Sequence, residues 1–270
     1  MEPLRMSIKD TIRTGYKDRR HFIDLVVQKA KAGLRAEASR GYLGVLWWIL
    51  EPVMYMTIFY FVFLHLFQRG DENFVIFLLT GLIVWKWFIS TVSSSASSLM
   101  ANVGLMNQVY VPKILFPLTT VAVNTFKFFV VFALYLVFLQ FTETKVTWAW
   151  TFLPVVIVTQ LFLIVAVSGF LAAIMPFFPD LRVILDNFLL MLFFLSGIFF
   201  DISRLPESIQ GYLWLNPMAV MINMYRQVLH NSVLPDLQQL VMVLLFSAVT
   251  MFFAALIYKH FDRIYPKIIH

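Results

Sequence analysis

The sequence lacks the residues and motifs on which several classes of functional site depend. It contains no cysteine, which excludes disulfides, thiolate metal sites and thiol nucleophiles. None of its 10 glycines precedes a lysine, so the chain has no Gly-Lys phosphate-binding loop and cannot bind ATP in that manner. The five histidines are scattered without metal-ligand spacing. No catalytic, metal or ATP-binding centre is evident.

Charge is scarce as well, because only 13% of the 270 residues are charged while 60% are hydrophobic. A soluble domain carries roughly 25% charged residues. The first 20 residues are charged and lack an apolar core, so no cleavable signal peptide is expected. The composition predicts an all-α integral membrane protein with six transmembrane helices. The apolar stretches that predict them are residues 45–67, 74–98, 114–141, 150–176, 183–200 and 236–258.

The basic residues predict the orientation of the chain. Ten of the 21 lysines and arginines lie in residues 1–43. With a cytoplasmic N-terminus, the inner segments carry 15 of the 21, the outer segments carry four, and Lys86 and Lys127 fall within spans. The positive-inside rule therefore predicts that both termini are cytoplasmic. The net charge of +6 indicates a basic face beside anionic lipid rather than a nucleic-acid partner.

The N-terminal region is predicted to form an amphipathic helix over residues 8–36 that lies on the membrane surface. Its apolar face carries Phe22, Val26, Ala30 and Leu34. Residues 35–53, here called the hinge, join this helix to the first span. We expect residues 1–44 to form the interface helix with its turn, and residues 45–270 to form the six-span transmembrane domain.

One acidic residue and one basic residue within the predicted spans indicate an ion pair. Glu51 and Lys86 are each expensive in a membrane unless they have a partner. Counting about 1.5 Å per residue places Glu51 about 9 Å and Lys86 about 12 Å from the inner edge of the bilayer core. Because antiparallel consecutive spans bring them to similar depths, we predict that they pair. In the alternative, Lys86 snorkels and Glu51 accepts hydrogen bonds from the hinge backbone.

Three segments outside the spans carry further predictions. The cytoplasmic connector, residues 100–117, contains Pro112 and Pro117, which predict a short helix or bend between them. The outer segment, residues 201–235, is too apolar for an ordinary loop and is broken by prolines and a glycine. That pattern predicts re-entrant short helices surrounded by protein or by a water-filled cavity. The basic tail, residues 259–270, is expected in the cytoplasm.

An ordered set of short motifs resembles the membrane subunit of bacterial polysaccharide ABC exporters, which export O-antigen, capsule and teichoic-acid chains. Each motif is weak alone, but together, in order and with six spans, they are specific. The Trp-Trp-x-Leu-Glu-Pro form is most similar to the O-antigen branch. The motifs are Leu43-Gly44, Leu46-Trp47-Trp48, Leu50-Glu51-Pro52, Thr80-Gly81-Leu82, residues 110–117, Pro179-Asp180-Leu181, Leu215-Asn216-Pro217-Met218 and Tyr225-Arg226.

The resemblance implies a non-enzymatic permease in a bacterial cytoplasmic (inner) membrane. It implies a homodimer that pairs with two copies of a separate ATPase subunit, which binds the ATP and magnesium, so that this chain holds no cofactor. The implied substrate is a polysaccharide, with O-antigen favoured, on undecaprenyl diphosphate that moves outward. The alternatives are an exporter of teichoic acid, capsule or a smaller glycolipid or drug, and an integral-membrane glycan-modifying enzyme.

The resemblance also implies roles for individual residues. We expect the substrate diphosphate to bind Arg35 and Arg40. The substrate entrance is expected at hinge residues Gly41, Tyr42, Gly44, Trp47 and Trp48. Channel-lining aromatics are expected at Tyr55, Phe59, Phe194 and Phe199. Coupling to the ATPase is expected at Asn107, Tyr110, Pro112, Lys113 and Phe116. The outer gate is expected at Trp214, Asn216, Pro217 and Arg226.

Overall fold

A computed structural model of the chain describes residues 19–39, 44–62, 72–142, 146–178, 180–262 and 264–268. Within these ranges the chain is helical and contains no strand, which confirms the all-α prediction. The helices are α1 (Arg19–Ser39), α2 (Trp47–Phe61), α3 (Glu72–Ala96), α4 (Val103–Gln108), α5 (Leu115–Leu139), α6 (Leu153–Ile174), α7 (Leu181–Leu195), α8 (Glu207–Leu213), α9 (Pro217–Leu229), α10 (Leu237–Phe261) and α11 (Tyr265–Ile268).

Four of the described helical segments are long and apolar enough to cross a membrane. They are Phe74–Ala96, Leu115–Leu139, Trp148–Phe177 and Leu237–Phe261, and they match the second, third, fourth and sixth predicted spans. The helices in the first and fifth predicted spans, α2 and α7, have 15 residues each. At about 1.5 Å per residue, α7 is about 22 Å long, less than a bilayer core of about 30 Å, whereas the residues that follow the described part of α2 lie outside the described ranges.

Helix α7 ends early because of the residues that follow it. Gly197 adopts a left-handed conformation with φ of 69°, which ends an α-helix at low steric cost only in glycine. A side chain there would also collide with Ile202, which lies 2.9 Å from the Cβ position. The sequence stretch 183–200 is mostly apolar on both sides of Gly197, so its hydropathy did not reveal this stop.

Helix α3 lies at the centre of the fold and packs against α5, α6, α7 and α9. On the α5 side, the Trp87 and Phe128 rings stack with centroids 4.0 Å apart. On the α6 side, the buried Gln160 amide donates a hydrogen bond to the Val84 carbonyl oxygen at 2.9 Å. These contacts explain why a span that carries Lys86 and many serines is still mostly buried.

Small residues bring α6 and α10 together, the most extensively packed helix pair among the described elements. A Cβ on Gly169 would lie 4.0 Å from that of Ala254, and Ser247 is fully buried. Close backbone approach through small residues is the usual packing of membrane helices. The opposite face of α10 carries exposed Leu245 and Phe252, as expected for a lipid-facing surface.

Helix α1 follows the first half of α5. Lys29 lies over the Phe116 ring at 4.3 Å, a Cβ on Gly33 would meet Val123 at 3.5 Å, and Glu37 contacts Lys127. Because the contacts advance along both helices in the same direction, this part of α1 runs beside α5. The apolar face of this stretch packs against protein, and its location at the membrane surface stays a prediction.

Between its two prolines the connector forms the predicted bend and not a separate helix. Its helix, α4, ends at Gln108 before the prolines, and the backbone is extended at Val109. Residues 113 and 114 form a turn, and α5 begins at Leu115. Pro117 thus lies in the first turn of α5. Backbone N–H groups in a first turn have no acceptor within the helix, so proline, which lacks this N–H, is tolerated there. The two prolines do not bracket a separate helix.

Candidate functional site: an aromatic cavity at the hinge

A cavity of about 880 Å³ lies between the hinge and helices α3, α5 and α7, here called the helix body. Its walls come from α2, α3, α5 and α7, and the last turn of α1 closes one side. Aromatic rings make up much of the surface, and five charged side chains reach it. The aromatic residues are Trp47, Trp48, Tyr55, Trp85, Trp87, Phe128 and Phe193, and the charged residues are Glu37, Glu51, Lys86, Lys127 and Asp186.

The structure brings together the two charges that the sequence predicted as a pair. Lys86 Nζ on α3 donates to Glu51 Oε1 on α2 at 2.6 Å. The lysine also lies over the Tyr55 ring, 5.7 Å from its centroid. The two side chains are 49% and 46% exposed, because both border the cavity. This pair joins the hinge to the central helix.

A second ion pair, which the sequence analysis missed, lies on the same cavity. Lys127 Nζ on α5 donates to Glu37 Oε1 on α1, and the lysine lies 5.5 Å from the centroid of a Trp48 ring. The signal was present, since Lys127 falls in an apolar span. It was missed because Glu37 was assigned to the part of the hinge before the first span, which left no apparent partner at the depth of the lysine.

Arg182 ties α7 to the serine-rich end of α3 at one rim of the cavity. Its guanidinium donates to the Ser93 carbonyl oxygen at 2.8 Å, to Ser93 Oγ at 2.9 Å and to Ser97 Oγ at 2.7 Å. Its Nε pairs with Asp186 at 3.0 Å. A basic residue near the serine-rich end of a predicted span was the signal in the sequence for this cluster.

The predicted hinge and diphosphate-binding residues are only partly described. Arg40, Gly41 and Tyr42 lie outside the described residues, and Arg35 is exposed on α1. Gly44 has φ of 41°, and a Cβ there would lie 2.4 Å from the Ala38 carbonyl oxygen. Only glycine therefore permits the close return of the chain onto α1 at this point.

The four predicted channel aromatics are placed differently from one another. Tyr55 lines the cavity, whereas the side chain of Phe59 lies outside the described part of the structure. Phe194 and Phe199 stack on each other with centroids 6.0 Å apart and do not line this cavity. Its α7 wall carries Phe193 instead, whose ring contacts both of them.

Asp262, which follows α10, ties the tail to the connector. Tyr110 Oη donates to Asp262 Oδ2 at 2.8 Å, and the Lys113 backbone N–H donates to Asp262 Oδ1 at 3.1 Å. On the other side of the connector, Lys29 of α1 donates to Asn102 Oδ1 at 2.8 Å. Burial lowers the pKa of the Lys29 ammonium. The connector therefore joins α1 and the tail in one packed unit.

The expectation of partner-facing side chains at Lys113 and Phe116 needs correction. Each is only 1% exposed, and the Lys113 ammonium donates to the Val111 carbonyl oxygen at 3.0 Å. Burial lowers the pKa of Lys113, and the nearby Asp262 carboxylate opposes that effect. Both side chains pack beneath the connector because α5 begins there. Asn107 and Tyr110 are exposed, and Pro112 is half-buried.

The outer segment contains two short helices, α8 and α9, and most of α9 is buried. Asn216 caps α9 by accepting from the Met218 N–H at 3.0 Å, and it donates to Ser196 Oγ at 2.9 Å. Pro217 occupies the first turn, where proline is favoured. Trp214 is half-buried before this cap. The proline breaks predicted from the sequence thus coincide with helix boundaries.

Arg226 is buried within the helix packing. Its guanidinium donates to the carbonyl oxygens of Phe77, Gly197 and Ile198 at 2.7 to 3.2 Å. These contacts hold α9 against α3 and against the turn after α7. Another buried cluster lies nearby, in which Thr80 Oγ1 contacts Tyr135 Oη at 2.6 Å and His230 Nε2 at 2.7 Å. The assignment of Arg226 to an outer gate did not foresee this packing role.

The arrangement provides a half-open, aromatic-walled chamber with paired charges and without an obvious reaction centre. Within the part of the chain that the structure describes, no group of three or more His, Asp or Glu residues could hold a metal ion. Aromatic faces pack against the C–H surfaces of apolar or sugar-like groups, and the lysines can meet anions. The chamber is thus suited to binding and passage of an amphiphilic molecule.

Comparison with known proteins identifies related sequences over most of the chain. The sequence profile of the ABC-2 type transporter family matches residues 31–230, from α1 to the end of the outer helix α9. The O-antigen export system permease protein RfbA of Myxococcus xanthus is 29% identical over 250 residues, which cover 92% of this chain and 95% of that protein.

Two further relatives come from other bacteria. The O-antigen export system permease protein RfbA of Klebsiella pneumoniae is 27% identical over 231 residues, which cover 85% of this chain and 87% of that protein. The polysialic acid transport protein KpsM of Escherichia coli is 26% identical over 238 residues, which cover 84% of this chain and 89% of that protein. All three matches include most of the cavity-forming helices.

Proposed function

The chain belongs to the ABC-2 type transporter family, and from that membership we propose that it is the membrane-spanning permease subunit of a polysaccharide exporter. The observation that carries the proposal is the aromatic cavity beside the hinge, in a chain related along most of its length to export permeases. A chamber of this kind suits a cargo with a lipid portion, an anionic linker and a sugar chain.

We propose a six-span topology in the bacterial cytoplasmic (inner) membrane, with both termini in the cytoplasm. The four long apolar helices supply four crossings, and α2 and α7 complete the six. Both shorter helices expose large apolar side chains, among them Ile58 on α2 and Phe188 on α7. In the proposed homodimer, lipid and a second copy of the chain cover these exposed faces. Helices α8 and α9 form the re-entrant segment at the outer surface.

ATP hydrolysis is assigned to two copies of a separate ATPase subunit. The sequence has no phosphate-binding loop of its own. The surface on which the ATPase docks is formed by α1, the connector and the tail, with Asn107 and Tyr110 presented to the partner. Because Asn102 and Asp262 link these three segments, movement of the partner is passed to the hinge through α1.

The proposed cargo is a glycan on undecaprenyl diphosphate, with lipopolysaccharide O-antigen as the first candidate. Two of the relatives described above are named for O-antigen export. Arg35 and Arg40 are proposed to attract the diphosphate at the inner interface, where charge-assisted hydrogen bonds are effective. The relative named for polysialic acid transport favours a capsular polysaccharide as the second candidate.

A direct test is reconstitution with a candidate ATPase subunit from the same organism. The two proteins are co-purified, placed in nanodiscs, and assayed for ATP hydrolysis with and without undecaprenyl-diphosphate-linked glycans. The proposal predicts a stable complex whose ATPase activity rises with the lipid-linked glycan but not with free glycan. An isolated chain that modifies the glycan without ATP would instead identify an integral-membrane enzyme.

A further inference from the structure

Two ion pairs fasten the hinge to the helix body, one on each side of residues 40–43. Glu37 precedes those residues and binds Lys127 of α5, whereas Glu51 follows them and binds Lys86 of α3. Both carboxylates therefore belong to the hinge, and both ammonium groups belong to helices long and apolar enough to span the membrane. The two pairs have the same polarity and connect the same two parts of the molecule.

Both lysines occupy the middle of their helices. Lys86 is ten residues before the last residue of α3, and Lys127 is twelve residues after the first residue of α5. These separations are about 15 Å and about 18 Å along the helix axes. A cation at that depth is costly and usually marks an ion or substrate pathway. Two such cations on one cavity wall indicate a function beyond packing.

The side chains around the two lysines leave them open to a ligand. Trp48, Glu51 and Tyr55 are spaced by three and four residues and so share one face of α2, and all three line the cavity. Lys127 lies over the Trp48 ring and Lys86 lies over the Tyr55 ring. Nearly half of each glutamate side chain is exposed, so an incoming anion reaches both pairs from the cavity.

Ion pairs with this exposure contribute little to stability, because solvent screens them. A phosphate group carries more charge than a carboxylate and offers several acceptor oxygens, so it competes effectively for an ammonium. Asp186, the fifth charged residue on the cavity, is held by Arg182 and does not compete for either lysine. After exchange, the freed glutamates and the bound phosphates carry like charge and repel one another.

We propose that Lys86 and Lys127 form the binding site for the diphosphate of the lipid-linked cargo, and that Glu51 and Glu37 occupy this site until the cargo displaces them. This inference rests on the proposed function and adds residues that bind the diphosphate deeper than Arg35 and Arg40. Displacement breaks both links between hinge and body, so binding of the anion itself releases the hinge and opens the cavity.

Binding measurements on charge-neutralised variants test the inference. The full-length protein in phosphatidylcholine nanodiscs is titrated with undecaprenyl diphosphate, with undecaprenol, and with phosphatidylglycerol. Lys86→Gln and Lys127→Gln are expected to weaken diphosphate binding about tenfold to a hundredfold. Glu51→Gln and Glu37→Gln remove the competitors and are expected to tighten it. Arg204→Gln, a change at an arginine that does not line the cavity and whose side chain is 86% exposed, is the matched control and leaves binding unchanged.

Hinge movement is measured on the same samples by spin-label distances. The chain has no native cysteine, so Ser39→Cys on α1 and Ala133→Cys on α5 place two specific labels at exposed positions. Undecaprenyl diphosphate is expected to lengthen the distance between the labels, and undecaprenol is not. Glu51→Gln with Glu37→Gln is expected to lengthen the distance without ligand.

The opposite signs of the lysine and glutamate changes decide the outcome. If all four changes weaken binding alike, or none alters it, the pairs are structural and the inference is wrong. If phosphatidylglycerol binds as tightly as undecaprenyl diphosphate does, the site binds lipid headgroups in general, and the inference is also wrong. In either case the proposed function stands if the wild-type complex still hydrolyses ATP in response to lipid-linked glycan. Failure of the inference is therefore distinguishable from failure of the proposed function.

Discussion

Arg226 and Phe77 are joined by two kinds of contact between α9 and α3. The guanidinium carbon lies 3.2 Å from the centroid of the Phe77 ring, and two guanidinium nitrogens donate to the Phe77 carbonyl oxygen at 3.2 and 3.0 Å. A buried cation is thus satisfied by backbone carbonyls rather than by a carboxylate. The contact fixes α9 on α3 and makes the outer segment part of the packed core.

We predict that Arg226→Lys destabilises the folded protein. Lysine keeps the charge but loses the planar fork that reaches three carbonyl oxygens. Each lost hydrogen bond to a charged group costs about 1.5–3 kcal/mol, so the thermal unfolding midpoint of the detergent-solubilised protein should fall by several degrees. Arg204→Lys is the control, since that arginine lies in the same segment but its side chain is 86% exposed. Equal midpoints for the two variants would show that Arg226 has no packing role.

A methyl group at Gly81 is predicted to disturb the same contact from the side of α3. Its Cβ would lie 2.9 Å from Arg226 Nη2 and 3.4 Å from the Ile198 backbone. Overpacking of this kind costs about 1–3 kcal/mol, so Gly81→Ala should unfold at a lower temperature. Gly211→Ala in α8 is the matched control, because nothing lies within 4 Å of its Cβ position. A Gly81→Ala protein as stable as that control would contradict the prediction.

The link between connector and tail is predicted to be needed for coupling. Asp262→Asn and Tyr110→Phe each weaken the hydrogen bond between these residues without removing a buried side chain. In the reconstituted complex, ATP hydrolysis should persist while its stimulation by lipid-linked glycan falls, since the tail no longer restrains the connector. Lys113→Ala differs, because removing that buried side chain should lower stability. Normal stimulation in both conservative variants would exclude this role for the link.

The Glu51–Lys86 pair can be tested by exchanging its charges. Glu51→Gln and Lys86→Gln should each lower the free energy of unfolding slightly, by about 0.2–1 kcal/mol, because the pair is half exposed. The double variant Glu51→Lys with Lys86→Glu should recover much of that loss, as measured by thermal unfolding in nanodiscs. A double variant whose loss equals the sum of the single losses would show that the two residues do not stabilise one another.

Only part of this arrangement could be predicted from the sequence, and the ion pairs show why. Glu51 and Lys86 were predictable because both lie in apolar spans at matching depths. The contact between Glu37 and Lys127 was not, because periodicity reveals that α1 has an apolar face but not whether lipid or protein covers it. The packing role of Arg226 could not be predicted for another reason. Its acceptors are backbone carbonyl oxygens, which every residue type carries.

The helix boundaries show a similar limit. Four long spans were predictable from hydropathy alone, and the outer breaks followed from Pro206 and Pro217. Helix α7 is shorter than its apolar stretch because Gly197 adopts a left-handed conformation, which composition does not report. At Pro117 the sequence predicted a helix break that the structure does not have, because this proline lies in the first turn of α5.

The central claim is that this chain moves a lipid-linked polysaccharide across the membrane with energy from a partner ATPase. The most direct measurement uses proteoliposomes that contain both proteins, with the lipid-linked glycan supplied in the ATPase-facing leaflet. A glycan-cleaving enzyme on that side reports how much cargo remains accessible. The account predicts ATP-dependent protection of long glycan chains, which disappears when either protein is omitted. Glycan that stays fully cleavable in the presence of ATP and both active proteins would contradict it.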